Sequence, residues 1–255
     1  MARQTGPFVW EMTDTAFHTL PDGRTIAFRL CAGAGPTIVF LPGYMSDMAG
    51  GKASAVFDWA RERGRACLLL DYSGCGQSPG DFADGSLSHW RDEVLALIAA
   101  HAPGRVVLVG SSMGGWLMLL VALAIPARVA GLVGIAAAPD FTAWGYSAQQ
   151  QADLAAGRTI LEPNPYGPEP TPTHARFWAD GQANQLLEGA IPFDGPVRLL
   201  HGEEDADVPP AIAHRLMAAL RSGDVQLTLV KGGDHRLSRA GDVVLLLRTL
   251  ASLLD

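Results

Sequence analysis

A chain of 255 residues with 48% hydrophobic content has enough apolar material for one large domain with a substantial core. Its formal charge of −7, without any block of lysines or arginines, gives no electrostatic reason to bind nucleic acid or an anionic membrane surface, and suits a neutral or weakly polar small substrate. The three cysteines, Cys31, Cys67 and Cys75, are scattered, odd in number and without metal-ligand spacing, so neither a disulfide framework nor a zinc site is indicated, and no cofactor is expected.

Short runs rich in Val, Ile and Leu alternate with longer helical patterns, the signature of βαβ units and a mostly parallel sheet. Strands are expected at residues 8–12 and 25–30, with the turn sequence Pro21-Asp22-Gly23 making an antiparallel start. Six more are expected at 37–41, 66–71, 106–109, 132–137, 197–201 and 226–230, eight in all. Helices are expected at 51–63, 86–101, 113–124, 210–221 and 242–254. In the second of these, Leu87, Trp90, Val94, Leu97 and Ile98 form one apolar face opposite Arg91, Asp92 and Glu93, as packing on a sheet requires. Residues 106–127 carry no charge and are long enough to cross a bilayer as one helix. Gly110, Gly114 and Gly115 would weaken such a helix in its middle, whereas a strand, a turn and a helix use all three.

Between residues 140 and 195 the rhythm breaks. Helix-like pieces at 147–156 and 173–190 flank the Pro-rich stretch Glu162-Pro163-Asn164-Pro165-Tyr166-Gly167-Pro168. A connection of this length inside a compact domain is usually functional, and after the sixth strand it would cover the carboxyl edge of the sheet, where open α/β sheets bind ligands. The expected organisation is therefore a core in two parts, residues 1–139 and 196–255, with a cap or lid at 140–195. The amino-terminal residues Met1 to Pro7 have neither the apolar stretch of a secretory signal nor the Arg-rich character of an organelle presequence, which predicts a cytoplasmic protein.

Gly110-Ser111-Ser112-Met113-Gly114 is a G-x-S-x-G sequence between the strand expected at 106–109 and a helix, the context of a nucleophile elbow, and points to Ser112 as the nucleophile. A serine hydroxyl needs a general base and a third group to orient that base. Of the histidines, His235 follows the last expected strand in Lys231-Gly232-Gly233-Asp234-His235, where the glycines let the backbone carry the imidazole over Ser112. The orienting acid should follow a strand: in His201-Gly202-Glu203-Glu204-Asp205-Ala206-Asp207, Asp205 is the leading candidate with Asp207 as an alternative and His201 as a stabiliser of the loop, and Asp140, after the sixth strand, is the other position from which a carboxylate could reach the histidine. The charge that develops on a carbonyl oxygen needs two backbone N–H donors, Met113 at the start of a helix and Tyr44 in Leu41-Pro42-Gly43-Tyr44.

These motifs, with Asp71-Tyr72-Ser73-Gly74-Cys75-Gly76-Gln77-Ser78 between them, occur in the order found in the α/β-hydrolase superfamily, which the chain resembles over nearly its whole length. More narrowly, Pro42-Gly43-Tyr44, Asp71 to Gly74, the run Gly110 to Trp116 and Arg198-Leu199-Leu200-His201-Gly202 resemble the branch containing the mitochondrial acyl-glucuronide esterase and palmitoyl-protein thioesterase of animals. The resemblance implies a serine esterase or thioesterase with Ser112, Asp205 and His235 as its triad, here a bacterial-type relative without a visible presequence. The Pro-rich segment of the cap departs from that branch, and caps shape the acyl and leaving-group pockets.

The leading expectation is metal-free hydrolysis of a short ester, an acyl glucuronide or a long-chain acyl thioester through an acyl-enzyme. Trp116, Trp144, Trp178, Phe141 and Phe177 are candidates to line an acyl pocket, against ordinary packing as the plainer reading. A non-catalytic ligand-binding or interaction protein on the same fold, and a C–C bond hydrolase, are the alternatives.

Overall fold

The computed structural model describes residues 11–164 and 167–254. Ten strands are described: β1 (Glu11–Thr19), β2 (Thr25–Cys31), β3 (Ala34–Leu41), β4 (Arg65–Leu70), β5 (Val106–Ser111), β6 (Val129–Ile135), β7 (Ile160–Glu162), β8 (Thr171–Thr173), β9 (Val197–Gly202) and β10 (Val225–Val230). Eight of them form one sheet in the order β1-β2-β4-β3-β5-β6-β9-β10. From β4 onwards every pair is parallel, and β2 joins antiparallel to both β1 and β4.

The central strands are buried on both faces, which is why they read as unbroken apolar runs. Successive side chains point to opposite faces: Val39, Leu41, Leu68, Leu70, Val106 and Leu108 pack into one core layer, and Ile38, Phe40, Cys67, Leu69, Val107 and Val109 into the other. Helices α2 (Leu87–His101) and α3 (Met113–Ala124) cover the first layer, with α7 (Pro210–Ala219). Helices α1 (Gly51–Glu62) and α8 (Ala240–Leu254) cover the second. Residues 113–122 of α3 are buried all round, which accounts for the long uncharged run without a bilayer. Among the described residues no helix is long and apolar enough to cross a membrane.

Two expectations change. The first strand runs Glu11–Thr19 instead of 8–12, and residues 8–10 of that expectation lie outside the described residues. It was hard to read because it is an edge strand: it alternates, with Phe17 56% exposed, and a bulge lies between Met12 and Ala16. The helix expected at 173–190 is α6 (Ala175–Ala183) alone. Past it, the Asn184 amide donates to the Asp180 carbonyl, and the Leu186 and Leu187 N–H groups turn to the Asp140 carboxylate.

The 140–195 segment also holds α4 (Phe141–Trp144), α5 (Ala148–Ala155), which starts with a Ser147–Gln150 capping box, and the small antiparallel pair β7–β8. Asp140 fastens both ends of this segment. It sits at the end of β6 with φ of 59°, and its carboxylate accepts from Leu186 N–H at 2.8 Å and Leu187 N–H at 2.7 Å. Burial pushes its carboxyl above the usual range, opposed by those same N–H groups. Replacing Asp140 with alanine strands two backbone donors and is expected to cost about 2–3 kcal/mol in chemical denaturation, with faster amide hydrogen exchange at Leu186 and Leu187.

Candidate active site

The parallel strands deliver their carboxyl ends to one edge, and β3 and β5 are neighbours whose onward connections leave in opposite directions across the sheet. That reversal opens a crevice. The loop holding Tyr44 follows β3, and Ser112 follows β5, so both stand at the crevice.

Ser112 has φ of 55° and ψ of −120°, a conformation that side-chain-bearing residues seldom adopt. Its backbone is fixed from both sides, since its N–H donates to the Ile135 carbonyl at 2.9 Å and its carbonyl accepts from Gly115 at 2.8 Å and Ala138 at 3.1 Å. The first turn of α3 then presses against β3: a Cβ on Gly114 would lie 2.1 Å from the Leu41 carbonyl oxygen. A Cβ on Gly43 would lie 3.4 Å from Ser112 Cβ, so the Tyr44 loop rests directly on the elbow. Tyr72 ties that loop down by donating its hydroxyl to the Pro42 carbonyl at 3.1 Å.

His235 Nε2 lies 3.0 Å from Ser112 Oγ, and His235 Nδ1 lies 2.9 Å and 3.1 Å from the two Asp205 carboxylate oxygens. An ionised carboxylate can only accept, so Nδ1 carries the proton and Nε2 is left to accept from the serine hydroxyl. Asp205 is buried, which opposes its ionisation. Its bonds to His235 and to the Val208 N–H outweigh burial and hold the carboxyl below the usual range. The Asp207 N–H donates to it as well, at 3.0 Å. His201 donates Nε2–H to the Val208 carbonyl at 2.8 Å and stands 3.3 Å from Asp205, so it braces the acid loop. Burial lowers its pKa, which favours the neutral ring.

The sequence candidates thus separate. Ser112, His235 and Asp205 meet in one chain of hydrogen bonds. Asp140 is spent on the backbone of residues 186 and 187. Asp207 lines the neighbouring cavity. The donor atoms of Asp205, Asp207 and His235 lie within 4.8 Å of one another, but a cation gathered there would compete with the N–H groups on Asp205 and with Ser112 on His235.

A cavity of about 820 Å³ opens over Ser112, and Met113, Tyr44 and His235 line it. Met113 is the first residue of α3, where the helix leaves its N–H unused. Of the aromatic candidates, Phe141 and Trp144 line the cavity. Trp116 and Phe177 are core residues, and Trp178 donates to the Thr142 carbonyl. Sequence reasoning missed Tyr146, Lys52 and Arg236, which also line the cavity. Arg236 directly follows His235 in the chain, a signal that was available. Lys52 had none. Its ammonium donates to the Arg236 carbonyl oxygen, and burial, then the Arg236 charge, lower its pKa.

Residues 38–245 match the family described as the alpha/beta hydrolase family. The chain belongs to the α/β hydrolase family. Among curated relatives in that family, it is 35% identical over 253 residues to the mitochondrial palmitoyl-protein thioesterase ABHD10 of Homo sapiens, covering 98% of this chain and 83% of that protein. The Mus musculus counterpart is 38% identical over 239 residues, covering 90% and 79%. Among solved α/β hydrolase structures, alpha/beta hydrolase domain-containing protein 10 from mouse superposes with a TM-score of 0.88 at 35% identity, over 94% of this chain and 98% of that one. A structure from Agrobacterium vitis S4 superposes at 0.89 with 38% identity, over 95% and 100%. Est1E from Butyrivibrio proteoclasticus, at 18% identity and a TM-score of 0.77, shares the fold.

Because the Gly114 contact is with backbone, no side-chain rotation relieves it. Gly114→Ala is expected to lower the unfolding free energy by about 1–3 kcal/mol, measured by urea denaturation.

Proposed function

We propose that this α/β hydrolase cleaves a carboxylic ester or acyl thioester, with Ser112 as nucleophile, His235 as general base and acid, and Asp205 holding the imidazole tautomer. The continuous hydrogen-bond chain from Ser112 Oγ through His235 to Asp205 carries this reading. Ser112 Oγ attacks the carbonyl carbon as its proton passes to His235 Nε2, and the Met113 and Tyr44 N–H groups receive the oxyanion. The imidazolium then protonates the departing alcohol or thiol. A water, deprotonated by the same nitrogen, attacks the acyl-enzyme and releases the acid and Ser112.

The cavity volume and the aromatic walls from Phe141 and Trp144 support an acyl group of substantial length, and the names of the animal relatives support a thioester among the substrates. Acyl glucuronides and short esters belong in the same panel. Residues 140–195 act in this reading as a cap between core segments 1–139 and 196–255, since cavity-lining side chains come from α4 and from β7 and β8. A cytoplasmic site of action is part of the proposal. The three buried free thiols Cys31, Cys67 and Cys75 support a reducing compartment, although the animal relatives are named as mitochondrial.

Ser112→Ala is expected to abolish turnover of p-nitrophenyl acyl esters and labelling by a fluorophosphonate probe, and full activity in this variant would overturn the assignment. Asp205→Asn keeps the hydrogen-bonding shape but favours the wrong imidazole tautomer, so kcat should fall by about 10³–10⁴ with little change in fold by circular dichroism. A panel of esters and acyl thioesters of graded chain length, with a C–C hydrolase substrate as comparator, identifies the bond cleaved.

A further inference from the structure

Tyr44 enters the proposed mechanism only through its backbone N–H, yet its side chain is among the most heavily engaged in the site. The ring centroid lies 5.0 Å from that of Phe82, 4.9 Å from Phe177 and 6.1 Å from Phe141, the last two from α6 and α4 of the cap. Its hydroxyl donates to the Pro172 carbonyl at 3.0 Å. Burial raises the phenol pKa well above its ordinary value, so the group stays a neutral donor throughout the working range.

The acceptor is available for a backbone reason. Pro172 pairs with Leu161 in the β7–β8 ladder but has no N–H. It therefore occupies a non-hydrogen-bonded position, where the strand's carbonyl points away from its partner strand. The neighbouring Thr173 hydroxyl is bonded to Tyr146 at 2.9 Å, which fixes the same strand to the segment between α4 and α5.

We propose that Tyr44 is a positioning residue: its hydroxyl bond to the Pro172 carbonyl makes the placement of the oxyanion donor depend on the docking of the cap's β7–β8 pair. One residue then has its backbone at the reacting carbonyl and its side chain in the cap. With the cap seated, the Tyr44 N–H is held against the elbow. With the hydroxyl bond lost, the loop keeps its fixings at Pro42 and Gly43 and the ring contacts of Tyr44, but loses this hydrogen bond to the cap. The inference rests on the hydrolase reading above.

The test compares Tyr44→Phe, which keeps the ring packing and removes one hydroxyl, with the unchanged protein, both assayed well below their unfolding midpoints. Active sites are counted by fluorophosphonate titration, and an acyl trifluoromethyl ketone, which forms an oxyanion adduct on the serine, reports the hole directly. The expected result is a kcat per titrated site lowered about tenfold and a trifluoromethyl ketone inhibition constant raised about tenfold, with KM changed less than about twofold, since the interaction acts on the transition state. A merely structural role lowers the number of titratable sites and leaves kcat per site and the ketone constant unchanged, which overturns the proposal. A change in KM alone also overturns it, by making the hydroxyl a substrate contact. Failure of the unchanged protein to react with the fluorophosphonate would instead remove the hydrolase reading on which the inference stands.

Discussion

The site depends on a contact between two backbones. Gly114 has no side chain, so the start of α3 lies against the Leu41 and Pro42 carbonyls at the end of β3. That approach forces the chain to turn between β5 and α3 within one residue, and Ser112 takes the positive φ that results. The conformational cost at Ser112, on the order of 1–3 kcal/mol, is sustained because Ile135, Gly115 and Ala138 bond its peptide groups from both sides. The same contact joins the Tyr44 loop to the elbow, so the proposed nucleophile and the proposed oxyanion donor share one junction.

The histidine and its acid reach that junction from the far half of the sheet. Asp205 follows β9 and His235 follows β10, and the parallel β9–β10 ladder sets the height at which both loops leave the sheet. Asp205 is charged although buried because its oxygens receive N–H groups from Asp207, Val208 and His235. His201, a strand residue four positions earlier, supports the Val208 carbonyl from beneath. The acid loop is thus held by its own backbone rather than by the substrate cavity.

Much of this was legible in the sequence because parallel strands and amphipathic helices leave strong periodic traces. β5 and α3 could be placed from the run at 106–127, and the chain order of serine, acid and histidine put each residue after a strand. The candidates Asp205, Asp207 and Asp140 separate only in space: all three follow strands, but Asp205 meets the His235 imidazole, whereas Asp140 meets the N–H groups of Leu186 and Leu187. The 140–195 segment was legible as an interruption but not in detail. β7 and β8 have three residues each, too few to show alternation, and the end of α6 is set by Asn184 and by a long-range bond to Asp140 that no local pattern encodes. The aromatic residues divided into core and cavity for the same reason, since Trp116 and Trp144 differ in what lies above them rather than in their neighbours along the chain.

The bond from Tyr44 ends on a main-chain oxygen, and this has an evolutionary consequence. A carbonyl is supplied by any residue at position 172 that keeps the strand register, so the β7–β8 hairpin can exchange its side chains without losing that link to the core. The walls of the cavity and the bond that anchors them are therefore separately mutable. A lineage can remodel the pocket through Glu162, Asn164 or Thr171 while the attachment beneath it is inherited unchanged.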